Sequence, residues 1–276
     1  VLAVLITEIE PFSAELLKGV SRTVTESGYE LLVYVGGPHR SDPGWEQRYV
    51  ARIAGTLADG MILVTPAAER YAAGTPLVAV DPHRGDFGAR PSDATVPSVL
   101  SDNEGGARAA TEHLIELGHR RIAFLGGRPD LESARRREAG FRTAMGAAGL
   151  PVDPTRVAVG SYQAEASVGP AHALLDRPDR PTAVFAANDV SAIEIMHVAA
   201  ELGLRVPHDL SVVGFDDIPE ASRTTPPLTT VAQPLQAMGA RAAELLLDKI
   251  QARDVPAEVT LPTELVVRAS TAAPPT

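Results

Sequence analysis

Two adjacent carboxylates, Asp216 and Asp217, stand directly after the apolar run Leu210–Phe215. That places them at the carboxyl end of a buried strand, where open α/β sheets gather their ligands. Other polar groups follow other apolar runs in the same way: Asp81 after Leu77–Val80, Asn188 and Asp189 after Ala183–Ala186, and Glu8 with Phe12 after the first run. Arg137, near the start of a helical segment that follows Ile122–Leu125, can point to the same edge. Carboxylates, an amide and a guanidinium converging on one cleft can form bidentate hydrogen bonds to a polyhydroxylated ligand. Phe12 and Tyr162 offer apolar faces against which a sugar ring can pack. Each position also has a plain structural use. Asp216–Asp217 can make an Asx-turn before Pro219, and Asp189, like Ser13, can cap a helix. Their shared location carries the binding argument.

The chain offers little for catalysis. It has no nucleophile elbow, no H-E-x-x-H pair and no P-loop. Cysteine is absent, which removes disulfides, thiolate zinc sites and cysteine nucleophiles together. The seven histidines are scattered. His113 and His119 are too far apart to share a helical face, and the ligand spacings of zinc sites are missing. Gly126–Gly127 follows a strand but lacks the third glycine and the distal acid of a dinucleotide loop, so it reads as a tight turn. Neither enzyme activity, a cofactor nor a metal is expected.

The elements that must position these groups are legible from periodicity. Short runs rich in Val, Ile and Leu predict strands over Val1–Ile6, Tyr29–Val35, Met61–Val64, Leu77–Val80, Val99–Ser101, Ile122–Leu125, Val157–Gly160, Ala183–Ala186 and Leu210–Gly214. Helical segments lie between them near 13–27, 44–58, 104–117, 133–148, 164–176, 189–202 and 235–252. Continuously apolar strands alternating with helices indicate βα units on parallel sheets covered on both faces. Gly28, Gly118, Gly149 and Gly203 stand where helices should stop. Linker composition appears at Gly85–Pro97, Pro226–Pro227 and Asp254–Pro256, which suggests lobes connected by several crossings. The Ala/Pro-rich tail Thr271–Thr276 is expected to fray.

At 276 residues the chain has room for about two domains. Thirty-five acidic side chains against 25 basic ones give a net charge of −10. That balance opposes a broad nucleic-acid surface, which requires Lys and Arg to neutralise phosphates. No apolar run approaches the ~18 residues of a membrane span.

Longer motifs carry a family resemblance. Ser101–Asn103 with Gly105–Gly106, His113–Ile115, Leu117–Gly127, Arg137 with Gly140–Phe141, Pro181–Asp189, Val206–Asp217, Pro226–Val231, Met238–Gly239 and Leu265–Thr271 occur in this order. Together they resemble the LacI-type (lactose-repressor) transcription regulators along essentially the whole chain. The resemblance implies a periplasmic-binding-protein-like type I fold: two doubly wound parallel-sheet lobes, α/β in class, joined by three crossovers. One lobe would comprise 1–94 plus 234–256, the other 95–233 plus 257–276. It also assigns roles. Arg137 would grip the ligand, the pair Asn188 and Asp189 would belong to the ligand set, Asn188 through its amide and Asp189 also able to cap the helix, and Asp216 would supply a ligand carboxylate. Asp81, Phe12, Ser133, Tyr162 and Gln233 would complete the site. Asp102 and Asn103 belong to a family motif but read as a turn and an N-cap.

The implied function is the effector-binding, sugar-sensing and dimerisation domain of a cytoplasmic transcription regulator. Its ligand would lie between the lobes and control operator binding by the intact homodimer, without a membrane partner. DNA contact would belong to a helix-turn-helix headpiece upstream of this chain. The alternative is a solute-binding receptor of a sugar transporter with the same fold; Gly214–Asp217 and Pro226–Val231 look regulator-like.

Overall fold

A computed structural model describes residues 1–36, 44–53, 56–68, 71, 74–83 and 96–275. In chain order its strands are β1 Leu2–Ile6, β2 Leu31–Val35, β3 Gly60–Val64, β4 Leu77–Val80, β5 Ser98–Ser101, β6 Ile122–Gly126, β7 Val157–Val159, β8 Ala183–Ala186, β9 Ser211–Asp216, β10 Thr229–Ala232, β11 Glu258–Leu261 and β12 Glu264–Val266. The helices are α1 Pro11–Glu26, α2 Trp45–Ile53, α3 Asn103–Glu116, α4 Glu132–Ala147, α5 Ala164–Leu175, α6 Asp189–Glu201 and α7 Leu235–Ile250. The predicted helix near 44–58 is observed only as α2, and its residues 54–55 lie outside the described ones, as do 85–95 of the first linker.

The chain divides into two compact units, Val1–Ser101 with Pro234–Pro262, and Asp102–Gln233 with Thr263–Thr276. It therefore passes between them three times, after Ser101, Gln233 and Pro262. These points differ from the expected boundaries at 94 and 256, which put β5 and β11 in the second unit. Pro226–Pro227 likewise lies inside the second unit. The passages run directly at strand ends, after β5, β10 and β11, in short polar stretches such as Ser101–Glu104 rather than in the longer Pro/Gly segments.

In the first unit six strands lie in the order β11-β5-β4-β3-β1-β2, every pairing parallel. Alternate residues of one strand serve opposite faces. Leu2, Val4 and Ile6 pack with α1 and α7, whereas Ala3 and Leu5 pack with Trp45, Val50 and Ile53 of α2. This two-sided burial is why the strands read as unbroken apolar runs. Helices α1 and α7 meet with small residues at the contact. A Cβ on Gly19 would overlap the backbone carbonyl of Gln236, and one on Gly239 would overlap that of Leu16.

The second unit repeats the plan with order β12-β10-β9-β8-β6-β7, parallel except for antiparallel β12. Phe124, Phe185 and Phe215 face α3 and α4, while Leu125, Val184 and Val212 face α5 and α6. Strand order reverses between β6 and β8, the switch point at which doubly wound sheets open a crevice at their carboxyl edge. The tail expected to fray is held. The Ala272 N–H donates to Ser211 Oγ, and its carbonyl accepts from His119 Nε2, 2.9 Å away. Among the described residues no helix is long and apolar enough to cross a membrane.

Candidate functional site

At the carboxyl edge of the second unit, four loops and helix starts bring polar side chains together. Asn188 follows β8 with an extended backbone and is the N-cap of α6; its Oδ1 accepts the Ser191 N–H at 3.0 Å. Its Nδ2 donates to the Tyr162 carbonyl at 3.2 Å. The cap expected at Asp189 thus falls one residue earlier, because only the extended residue ahead of the first turn can fold its side chain back onto the free N–H groups. Ser13 is likewise inside its helix, at its third residue, where its Oγ accepts the Glu10 N–H.

Arg137 sits in the second turn of α4 and is buried at 3% exposure, so each of its donors needs a partner. Nε donates to Asn103 Oδ1 at 2.8 Å, and Nη1 donates to the Ala187 carbonyl at 2.5 Å and to Asp216 Oδ1 at 3.4 Å. The guanidinium lies over the Phe215 ring, 3.8 Å from its centroid, with the Tyr162 ring 5.5 Å away. A planar cation that donates fork hydrogen bonds and stacks on a ring at once is peculiar to arginine.

Asp216 ends β9 with φ 119°, and Asp217 follows with φ 58°. Such left-handed backbone costs a non-glycine residue roughly 1–3 kcal/mol unless its surroundings enforce it. Here Gln233, just after β10, binds the corner twice. Its backbone N–H donates to the Asp216 carbonyl at 3.2 Å, and its Nε2 donates to Oδ1 at 2.6 Å. Tyr162 also has positive φ, 65°, and its ring lies where a Cβ on Gly127 would stand. Gly127 is therefore a bare floor for an aromatic ring rather than merely a tight turn.

Asp189 is fully buried behind this edge. Its Oδ2 accepts the Ile218 N–H at 2.9 Å and its Oδ1 accepts the Thr230 hydroxyl at 2.5 Å. Burial, then the charges of Asp216 and Asp217, hold its carboxyl well above the usual carboxylate range. Ser133 is buried one turn ahead of Arg137 on α4. Arg137, Asn188, Asp216, Tyr162 and Gln233 are thus brought together, with Asp189 beneath them.

Asp81 and Phe12 belong to the first unit. Asp81 follows β4 with φ 49° and donates its N–H to the Val99 carbonyl at 3.0 Å. Phe12 opens α1 and packs in part on that unit's core.

Two contributors escape the sequence reading. Asp102 does cap α3, accepting the Gly105 N–H, but Asn103 is buried and its amide oxygen holds Arg137. Phe215 reads as one more strand hydrophobe and turns out to carry the guanidinium. Only a pairing across the sheet edge reveals either role, and no local spacing encodes it.

The chemistry available is hydrogen bonding to hydroxyls and amides between a charged pair and aromatic faces. Ser167 and Ser191 bond each other at 3.0 Å within the unit. The buried His119 lies at the opposite, amino edge of the sheet, beside Thr182 and Ser211. Among the described residues no group of three or more His, Asp or Glu side chains is placed to hold a metal ion.

Doubly wound sheets in two units with three chain passages define a periplasmic-binding-protein-like effector fold. A sequence profile for the periplasmic binding protein-like domain matches residues 111–271. The chain is 37% identical to the HTH-type transcriptional regulator CelR of Thermobifida fusca over 95% of its length and 76% of that protein. It is 34% identical to the HTH-type transcriptional repressor CytR of Escherichia coli K12, over 96% of this chain and 77% of the repressor. Among solved structures, a CelR–cellobiose complex superposes with TM-score 0.85 at 34% identity, covering 98% of this chain and 84% of the other. A LacI family transcriptional regulator from Mycobacterium smegmatis gives 0.86 at 29% identity, with full coverage of both chains. The lac repressor dimer bound to operator and an anti-inducer gives 0.85 at 27% identity, covering 99% and 94%. The chain belongs to the LacI family of transcriptional regulators and spans the effector-binding domain of that family.

Proposed function

We propose that this chain senses a sugar for an intact homodimeric, cytoplasmic regulator, and that Arg137, Asn188, Asp216, Tyr162 and Gln233 hold the ligand. The observation that carries the reading is the Arg137–Asp216–Gln233 cluster at the carboxyl edge of the second unit's sheet. A guanidinium paired with a carboxylate leaves little net charge, which suits neutral hydroxyl groups better than phosphate. The relative whose structure holds cellobiose supports a sugar as the ligand class. Asp81, Phe12 and Ser133 are further ligand residues by family match. We place the lobe boundaries where the compact units change, and DNA contact in a headpiece of the intact protein. The ligand acts on operator affinity only through its unequal affinity for two conformations, typically about 1–3 kcal/mol of coupling.

The test is a thermal-shift and calorimetry panel of cellobiose, other glycosides, sugar phosphates and purines at millimolar concentration. A ligand at about one hundred times its Kd stabilises the native state by about 2.7 kcal/mol, a shift of several degrees. A sugar should bind the wild type, and Asp216→Asn should abolish the shift while retaining the native circular dichroism. Binding of purines alone, or an unchanged sugar affinity in Asp216→Asn, would overturn the assignment.

A further inference from the structure

The strained corner Asp216–Asp217 is not stabilised by its own local sequence, since neither residue is glycine and both have positive φ. Two groups outside the ligand-facing set grip it. From α6, Asp189 accepts the Ile218 N–H with one oxygen and the Thr230 hydroxyl with the other, tying the residue after the corner to β10. From beyond β12, Arg268 donates through Nη2 to Asp217 Oδ1 at 2.6 Å and through Nη1 to the Leu228 carbonyl at 2.8 Å. Its own N–H donates to Thr229 Oγ1 at 2.9 Å. The strand leaves room for this arrangement: a Cβ on Gly214 would overlap Asp189 Oδ1.

We infer that Asp189 is a positioning residue, not a ligand contact: with Arg268 as second anchor, it sets the Asp216 corner at which the effector is held. The inference rests on the sugar-site reading above for its consequence, but its mechanism stands on the corner itself. Asp189 has no exposed surface, so a ligand reaches it only through the corner. The groups facing it are Asp216 and Asp217, whose charges add to burial in favouring its protonated form. An asparagine amide keeps the oxygen that accepts the Ile218 N–H and turns its Nδ2 donor to the Thr230 hydroxyl, whose oxygen can accept where the hydroxyl now donates to Asp189.

The experiment compares Asp189→Ala with Asp189→Asn by amide hydrogen exchange, and by calorimetry with cellobiose as probe. Asp189→Ala removes two buried hydrogen bonds and should speed exchange across residues 214–219 by about ten-fold or more, with α4 and α5 unchanged. Cellobiose affinity should fall by a similar factor, and Asp189→Asn should restore both. If Asp189→Ala does not fold, Thr230→Val gives the same comparison, with Thr230→Ser as its rescue. Unchanged exchange at 214–219, or exchange rising equally in α4 and α5, would overturn the inference, as would failure of Asp189→Asn to rescue. A wild type that ignores cellobiose would count against that sugar as effector, while the exchange comparison still decides the role of Asp189.

Discussion

Arg137 shows how far a single position can be read from its spacing. That an arginine stands at this sheet edge is legible, because Arg137 lies near the start of a helical segment that follows the strand Ile122–Leu125. That it is buried with three protein acceptors and a phenylalanine beneath it is not, since Asn103, Ala187 and Phe215 come from three other elements. The energetic consequence is specific. Removing one member of a buried ion pair leaves the other desolvated and uncompensated, at a cost of about 3–5 kcal/mol. Arg137→Met should therefore lower the urea stability of the chain by that amount, and Arg137→Lys should recover only part, because an ammonium cannot reproduce the fork. Arg142→Met, which breaks an exposed pair with Glu138 on the same helix, should stay within about 0.5 kcal/mol of wild type. Equal losses in Arg137→Met and Arg142→Met would show that the buried cluster contributes no more than surface charge. Asn188 teaches the complementary lesson. Its amide was expected to face ligand, yet one end caps α6 and the other fixes Tyr162, so it also shapes the site's wall.

Elements were legible wherever a strand is an apolar run or a helix carries an apolar stripe. Each of the nine predicted strands and seven predicted helices has a counterpart, most within a few residues of the expected ends and the 44–58 helix only as Trp45–Ile53, because unbroken apolar runs and 3.6-residue stripes are direct consequences of packing. The strands that escaped are β10, β11 and β12. The first is Thr-rich, and β11 alternates exposed and half-buried residues at the sheet edge, so neither presents an apolar run. Helix contacts were legible only in retrospect. Gly19 and Gly239 sit inside helices, where glycine normally costs roughly 0.5–1 kcal/mol relative to alanine. Both are retained at a backbone-to-backbone contact that has no room for a methyl group. Gly19→Ala and Gly239→Ala should each destabilise the first unit by about 1–3 kcal/mol through overpacking. Gly146→Ala in α4, where a Cβ meets nothing within 4 Å, should instead stabilise by about 0.4–1 kcal/mol. Chemical denaturation of the three variants checks the opposite signs, and stabilisation by either α1 or α7 variant would refute the close-contact account.

The chain as a whole couples folding to pH through buried or half-buried groups at both ends of the second unit's sheet, the histidines at its amino edge and Asp189 behind its carboxyl edge. The chain passes between its two compact units at strand ends, after Ser101, Gln233 and Pro262. The tail's composition suggests fraying, whereas side chains of α3, β9 and the turn before β6 anchor it. His113 Nε2 meets Thr271 Oγ1 at 3.0 Å, and His119 bonds Thr182, Ser211 and the Ala272 carbonyl. Burial holds both imidazoles below their ordinary value of 6.5, with Glu116 partly opposing this at His113 and the Ala272 carbonyl partly opposing it at His119. The unfolded chain therefore binds protons that the native state resists. Stability from these groups is complete above about pH 6.5 and is lost as pH falls through that value toward the lower native one. Asp189 acts with the opposite sign. Its native carboxyl is raised, so its contribution is complete below the ordinary value of 3.8 and is lost as pH rises through the native one. Urea midpoints of wild type, His119→Gln and Asp189→Asn between about pH 5 and 7 separate the two. His119→Gln should flatten the acid-side loss, and Asp189→Asn should steepen it by removing the opposing contribution. A slope indifferent to His119→Gln would place the proton linkage elsewhere than at the tail, and one indifferent to Asp189→Asn would mean that the native Asp189 carboxyl is already ionised across that range, as it is in the unfolded chain.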